Sequence, residues 1–334
     1  METIAIGTSG ITSSRIALGT WAMGGWMWGG QTDMKQSAET IRSAIDRGIT
    51  LIDTAPVYGF GVSEEIVGKA LAGGRRLNAI VATKAGLDWR DGKVWRDSSP
   101  ERIRTEVEAS LRRLGTDYID LYQIHWPDPL VPLQETAQVL DGLLREGKIR
   151  AIGVSNFSAA QMAQFRQAAP IHAVQPPYNL FERDAELDVI PYAQQHNIAV
   201  LCYGALCRGL LSGRISLSTQ FQGDDLRKVD PKFQEPRLAQ YLTAVSFLDA
   251  YAASRYKVGV LELAVRWLLD RGNTIALWGA RSPHQLDPAA RVLGWKLDAA
   301  AFTHIDRALR IAVRDPVGPD FMAPPARSRQ SFLA

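Results

Sequence analysis

The chain has 334 residues, 46% of them hydrophobic, and its 38 basic side chains against 35 acidic ones leave a formal charge of only +3. That length can bury a large core, and the scattered basic residues offer no electrostatic footprint for nucleic acid. No apolar run reaches the ~18 residues that cross a bilayer, and the start METIAIGTSGITSSR lacks the basic, apolar and cleavage regions of a secretory signal.

Taken in chain order, residues 3–16 (TIAIGTSGITSSRI) read as a β-hairpin. Eight short apolar runs then recur: 15–21, 50–54, 79–84, 118–125, 150–155, 172–175, 198–203 and 274–279. Apolar runs without strict alternation suggest parallel strands covered on both faces by helices. Helix signals follow most of them. GVSEEIVGKAL carries two glutamates in its first turn, where the helix dipole favours negative charge. Ser99-Pro100 supplies a hydroxyl cap and then a proline at the first helical position, with Ile103, Val107, Leu111 and Leu114 on one face and Gly115 as terminator. Further helices are expected over Leu133–Glu146, after a cap at Ser158, and over Leu261–Leu269. Eight strand–helix alternations without a linker predict an α/β fold, a (β/α)8 TIM barrel. The hairpin would cap one end, and long loops would stand at the C-terminal face. A single barrel domain is expected over 1–314 and a poorly ordered tail over 315–334. The polar stretch 206–240 is too long for a connector and reads as a lid. Cys202 and Cys207 lack redox or zinc spacing and read as free thiols of a reducing compartment. A cytoplasmic location and no metal are expected.

In such a barrel the active site lies at the C-terminal ends of the strands. The runs end in Thr20 and Trp21, Asp53, Lys84, His125, Ser155 and Asn156, Gln175, Tyr203, and Gly279 to Arg281. Singly, Asp53 could be a turn residue, Lys84 a solvated strand end, His125 structural, and Tyr58 a packing aromatic in the loop TAPVYGFG. All four converge on one barrel mouth, and together they have a common task. A tyrosine with a reference pKa of ~10 is a poor proton donor near neutrality, and a neighbouring ammonium lowers that value. Asp53 would keep Lys84 charged and oriented, and His125 would hydrogen-bond a substrate oxygen. The set suits protonation of a carbonyl oxygen as hydride reaches the carbon, or the reverse. Gly59-Phe60-Gly61 opens a helix after a strand, as a dinucleotide-binding turn does, but Glu64 and Glu65 at that helix start would repel a pyrophosphate.

The stretches GTWAMGG, GITLIDTAPVYGFGVSEEIVGKAL, VATK, DYIDLYQIHWPD, GKIRAIGVSNFS, QPPYNLFER, YGALCRGLLSG and LWGAR resemble the aldo-keto reductases over nearly the whole chain. The branch resembled includes bacterial oxidoreductases and potassium-channel β-subunits. The resemblance implies a catalytic tetrad at Asp53, Tyr58, Lys84 and His125. It implies NADPH/NADP+ as coenzyme, with NADH possible: Ser155, Asn156 and Gln175 on the carboxamide, Tyr203 under the nicotinamide, and Trp21 and Asp53 close by. Gly204, Leu206, Arg208, Gly279, Arg281 and Gln285 would meet the pyrophosphate and far ribose, with Arg208 and Arg281 supplying charge near the 2′ position. Two departures stand out. Pro288 and Ala289 replace the family's Glu-Asn at the adenine end, and Gly204-Ala205 replaces Ser-Pro.

Trp26, Trp28, Trp89, Trp95 and Trp126 fall in loops expected at the barrel mouth. Four of them, Trp26, Trp28, Trp89 and Trp126, form the expected substrate pocket. Such rings predict a small-molecule partner that is a bulky, hydrophobic carbonyl compound or alcohol. The function expected is NADPH-dependent interconversion of aldehydes or ketones with alcohols, Tyr58 being the general acid/base. The alternative is a non-catalytic nicotinamide-nucleotide-binding subunit or redox sensor.

Overall fold

A computed structural model describes residues 1–327 of the chain. The N-terminal hairpin pairs β1 (Thr3–Ala5) with β2 (Thr12–Ser14). Ile6 in its turn is fully buried among side chains of the barrel interior, so the hairpin plugs that end. The barrel begins with β3 (Ile16–Gly19), β4 (Leu51–Asp53) and β5 (Ile80–Ala85). A short antiparallel hairpin, β6 (Leu87–Arg90) with β7 (Lys93–Arg96), stands outside it. The barrel then continues through β8 (Leu121–Ile124), β9 (Ile152–Ser155), β10 (Ala173–Gln175), β11 (Ala199–Cys202) and β12 (Thr274–Gly279). All neighbours in this closed ring of eight are parallel, and β12 pairs back with β3.

Helices α1 (Met34–Asp46), α2 (Val62–Leu71), α3 (Pro100–Leu114), α4 (Leu133–Arg145), α5 (Ala159–Phe165) and α6 (Val189–Gln195) follow successive barrel strands. The expected caps are in place. Ser99 accepts from the Arg102 amide, Gly115 ends α3 in the left-handed region, and Ser158 and Gln161 form a reciprocal capping box. Helix α8 (Val260–Leu269) precedes β12, and α9 (Ala299–Ala312) follows it. Inside the ring, Ala17, Ala82, Ala151, Ala173 and Ala199 are fully buried beside Leu51, Leu121 and Leu201. Small interior side chains at this level leave room for polar ones in the layer above.

Three regions differ from the expectation. The loop after β5 carries the β6–β7 hairpin. The 20-residue helix α7 (Arg237–Tyr256) was not anticipated; it buries Leu238, Tyr241, Ala244, Val245, Leu248 and Ala252 on one face. The tail is ordered over 315–327. Arg96 donates from Nε to the Pro324 carbonyl (2.8 Å) and from its amide to the Pro325 carbonyl (2.9 Å), and Arg327 pairs with Asp97 and Asp128. Composition alone does not show these anchors, which are main-chain carbonyls of Pro324 and Pro325 and the Arg327 guanidinium. Residues 328–334 of the expected tail lie outside the described residues. Among the described residues no helix is long and apolar enough to cross a membrane.

Candidate active site

The ends of β4, β5 and β8 bring the central groups together. Lys84 Nζ is 2.6 Å from Asp53 Oδ1, 3.0 Å from the Thr54 carbonyl oxygen and 3.2 Å from the Tyr58 hydroxyl. Lys84 is 0% exposed and Asp53 3%, and charges that deep persist only when paired and hydrogen-bonded. An ammonium has three donors, and here each has a partner. The second oxygen of Asp53 accepts from Gln175 Nε2 at 2.9 Å and Gln123 Nε2 at 3.3 Å.

Tyr58 is delivered by the loop between β4 and α2. Gly24 and Gly59 let two turns touch there: a Cβ on Gly24 would lie 2.6 Å from the Tyr58 carbonyl, and one on Gly59 2.2 Å from the Gly24 oxygen. Gly59 also has a φ of +66°, a conformation that glycine adopts without strain. Beneath the loop the buried Ser63 hydroxyl bridges those of Thr20 (2.7 Å) and Thr54 (2.9 Å). The rejected glycine turn thus builds the Tyr58 loop, and Glu64 behind it binds Thr83 and Arg113.

Burial, with the Asp53 carboxylate adding to it, pushes the Tyr58 phenol well above its ordinary value. This direction is opposite to the lowering expected from Lys84, because burial and the nearby carboxylate both disfavour the phenolate. Burial also lowers the Lys84 ammonium, against the opposing pull of Asp53. The His125 imidazole is held well below its usual value, first by burial and then by Lys84, which keeps it neutral. Its ring stands edge-on to Tyr58, with centroids 5.8 Å apart.

Tyr58, His125 and Asp53 open on a cleft of about 410 Å³. Ser155, Asn156, Gln175 and Tyr203 line one side of it. Asn156 donates to the His125 carbonyl (2.9 Å) and to Ser155 Oγ (3.1 Å), and accepts from the Tyr203 hydroxyl (2.9 Å). Gly204, Leu206, Gly279, Arg281 and Gln285 line the far end. Gln285 Oε1 caps the turn by accepting from the Arg281 and Ser282 amides, while the Arg281 guanidinium is solvent-facing and only 3.4 Å from the Trp28 carbonyl oxygen. Pro288 also faces the cleft, whereas Ala289 is buried.

Two nominated residues are placed otherwise. Arg208 reaches the cleft wall, but its Nε and Nη2 are bonded to the buried Asp230 and Glu182, and Lys232 joins the same Glu182 at 2.9 Å. Its charge is balanced by these two buried carboxylates, whereas the Arg281 guanidinium faces solvent. Trp89 belongs to β6 and lies outside the cleft. Its ring packs on Phe60 at 5.7 Å, with the Arg102 guanidinium 5.3 Å from its centroid. Leu87 and Val94 of the hairpin face the cleft in its place. Trp26, Trp28 and Trp126 do line the cleft, as does Trp21, which stacks on Tyr58 at 5.8 Å and meets Trp28 edge-on at 5.7 Å. Sequence reasoning missed Gln123 and the tail residues Met322 and Pro324, which close the rim.

Of the stretch 206–240, expected as a lid, residues 206–236 run along this cleft, with Leu206, Ile215 and Arg227 in its lining, and 237–240 belong to α7. The Asp224 carboxylate accepts from the Met27 and Gly29 amides at 2.8 and 3.0 Å, so the segment clasps the tryptophan-bearing loop after β3.

The chain is 58% identical to the aldo-keto reductase YhdN of Bacillus subtilis over 98% of its own length and 99% of the relative's. It is 38% identical to the NADH-specific methylglyoxal reductase of Escherichia coli, covering 91% and 97%. The solved structure of a glycerol dehydrogenase from Gluconobacter oxydans superposes with a TM-score of 0.87 at 53% identity, covering 96% of this chain and 99% of that one. The aldo/keto reductase family profile matches residues 15–310, and the chain belongs to that family of oxidoreductases.

Proposed function

We propose that this chain interconverts aldehydes or ketones with alcohols, with Tyr58 as the general acid/base and a nicotinamide coenzyme as hydride carrier. The observation that carries the reading is the Lys84 ammonium, held between Asp53 and the Tyr58 hydroxyl. In reduction, the phenol retains its proton until a carbonyl oxygen arrives, because burial disfavours the phenolate. As the proton leaves, Lys84 stabilises the oxygen left behind. Neutral His125 beside Tyr58 orients the carbonyl by a hydrogen bond without adding a second cation. In oxidation the same groups run in reverse, Tyr58 accepting the alcohol proton.

The residues present fit such a coenzyme. Gly279 has open space where a Cβ would stand, leaving bare backbone at the strand end, and Arg281 extends a solvent-facing guanidinium beside it. When bound, the coenzyme supplies or accepts hydride at the substrate carbon. Ser155, Asn156 and Gln175 would hold its carboxamide, the Tyr203 ring its nicotinamide, and Gly204, Leu206 and Gly279 its pyrophosphate. Arg281 and Gln285 would take the far ribose, and Trp21 would flank the reacting end. A guanidinium suits a 2′-phosphate, which favours NADPH. Of the two arginines expected at that ribose, Arg281 is the one without a carboxylate partner among the described residues, and a relative named as NADH-specific makes NADH the alternative coenzyme.

Trp21, Trp26, Trp28 and Trp126 wall the substrate end with rings that bury large apolar area, favouring bulky aromatic carbonyl compounds. The relatives' names point to small ones, methylglyoxal and glycerol. Initial rates of reduced-coenzyme loss with 4-nitrobenzaldehyde, glyceraldehyde and methylglyoxal, run with NADPH and NADH, test the reading. The expected result is turnover with NADPH and a kcat/KM for the aromatic aldehyde at least about tenfold higher. No turnover with any carbonyl contradicts the activity, and faster reduction of glyceraldehyde contradicts the aromatic pocket.

A further inference from the structure

The site contains one buried amide with no assigned task. Gln123 lies on β8, fully buried, directly across the β5–β8 ladder from Lys84. Its Nε2 is 3.3 Å from Asp53 Oδ2, and its Oε1 is 3.2 Å from Gln175 Nε2, which is itself 2.9 Å from the same Asp53 oxygen. The strand neighbours Leu121, Tyr122 and Ile124 are buried and apolar or aromatic, so core packing alone does not call for an amide here. The adjacent strand makes room for it: a Cβ on Gly153 would lie 2.7 Å from Gln123 Cγ.

Donor and acceptor complementarity fixes the direction of every bond. An ionised carboxylate only accepts, so both amides turn an N–H toward Asp53. The second N–H of Gln175 is then taken by Gln123 Oε1. With both donors committed, Gln175 can present only its carbonyl oxygen to the cleft that it lines.

We propose that Gln123 is a positioning residue for hydride transfer, locking Gln175 with its acceptor outward and holding Asp53 Oδ2 so that Oδ1 stays on Lys84. The inference rests on the functional reading above, in which Gln175 meets the coenzyme carboxamide. That group carries an NH2, the complement of a fixed acceptor, and an amide free to flip would present the wrong pole part of the time.

Two variants test it. Gln123→Met keeps the length and removes both hydrogen bonds; the NADPH dissociation constant, read by fluorescence quenching, rises about tenfold, while KM for the carbonyl stays unchanged. Gln123→Glu keeps the shape and adds a carboxylate near Asp53, shifting the basic limb of the kcat pH profile upward by about one unit. A purely structural role would lower thermal stability without moving that profile. Tyr122→Phe on the same strand is the control. Its hydroxyl has no hydrogen-bond partner among the described residues, and both readouts stay at wild-type values. If the wild-type protein binds neither NADPH nor NADH, the functional reading fails and this inference with it. If wild type binds and turns over, the inference alone is overturned by an unchanged dissociation constant in Gln123→Met or an unshifted profile in Gln123→Glu.

Discussion

Two buried ion clusters reach the same cleft and are built to opposite ends. In the first, Lys84 pairs with Asp53, and its remaining donors go to the Thr54 carbonyl and the Tyr58 hydroxyl. In the second, Arg208 and Lys232 share Glu182, and Arg208 also holds Asp230. The second cluster balances two cations with two carboxylates, and Lys232 adds a bond to the Gly318 carbonyl at 3.2 Å. Its charges tie together β10–β11, the 206–236 segment and the tail. The first cluster ends on a titratable hydroxyl that opens on the cleft. Buried charge alone does not mark chemistry; what matters is whether the network terminates on a group that can exchange a proton with a ligand.

Substitutions can break that contrast. Lys84→Met has the largest expected effect. It removes the donor behind Tyr58 and should lower kcat by roughly 10³-fold, and it leaves Asp53 unpaired, destabilising the fold by about 3–5 kcal/mol. Steady-state rates with a thermal melt measure both, and a kcat within tenfold of wild type would break the comparison. Arg208→Met should cost a similar about 3–5 kcal/mol yet leave kcat and the NADPH dissociation constant close to wild type below its melting temperature. Tenfold weaker coenzyme binding there would make Arg208 a ligand after all.

Arg281→Ala sharpens the assignment of the solvent-facing cation. NADPH affinity should drop about 10- to 100-fold with NADH affinity unmoved; equal losses for both would remove the 2′ preference.

The smallest effect concerns an acid behind β5. Burial raises Glu106 from 4.5 to about 7, against the pull of Arg102 and the Gly86 amide. A carboxyl raised in the folded state binds its proton more tightly there. Its stabilisation is complete below the unfolded value of 4.5 and is lost as pH rises through about 7, by up to about 1.4 kcal/mol per unit. Glu106→Gln should flatten that part of the curve of stability against pH, measured by denaturant unfolding. A curve unchanged by the substitution would show that Glu106 does not titrate there.

The barrel was legible because each strand is an apolar run ending in a turn, and the candidate site because Asp53, Lys84 and His125 stand where those runs stop, with Tyr58 in the loop after the second. Gln123 was not, since it lies inside a run; its signal was a polar residue on the same strand face as His125, two positions earlier. Helix α7 followed a polar segment, and its own apolar spacing from Leu238 to Ala252 was overlooked. The pairing of Arg208 was hidden because its carboxylate partners, Glu182 and Asp230, lie more than 20 residues away on either side. Trp89 sits in a hairpin where its ring packs on Phe60 and the Arg102 guanidinium, which loop membership alone could not reveal.

The central claim is that Tyr58 supplies the proton, and single-turnover reduction of an aromatic aldehyde by coenzyme-loaded Tyr58→Phe tests it most directly. The ring and its stack on Trp21 remain while the hydroxyl is lost, so the rate should fall at least ~100-fold with the NADPH dissociation constant unchanged. Near-normal turnover would contradict the assignment.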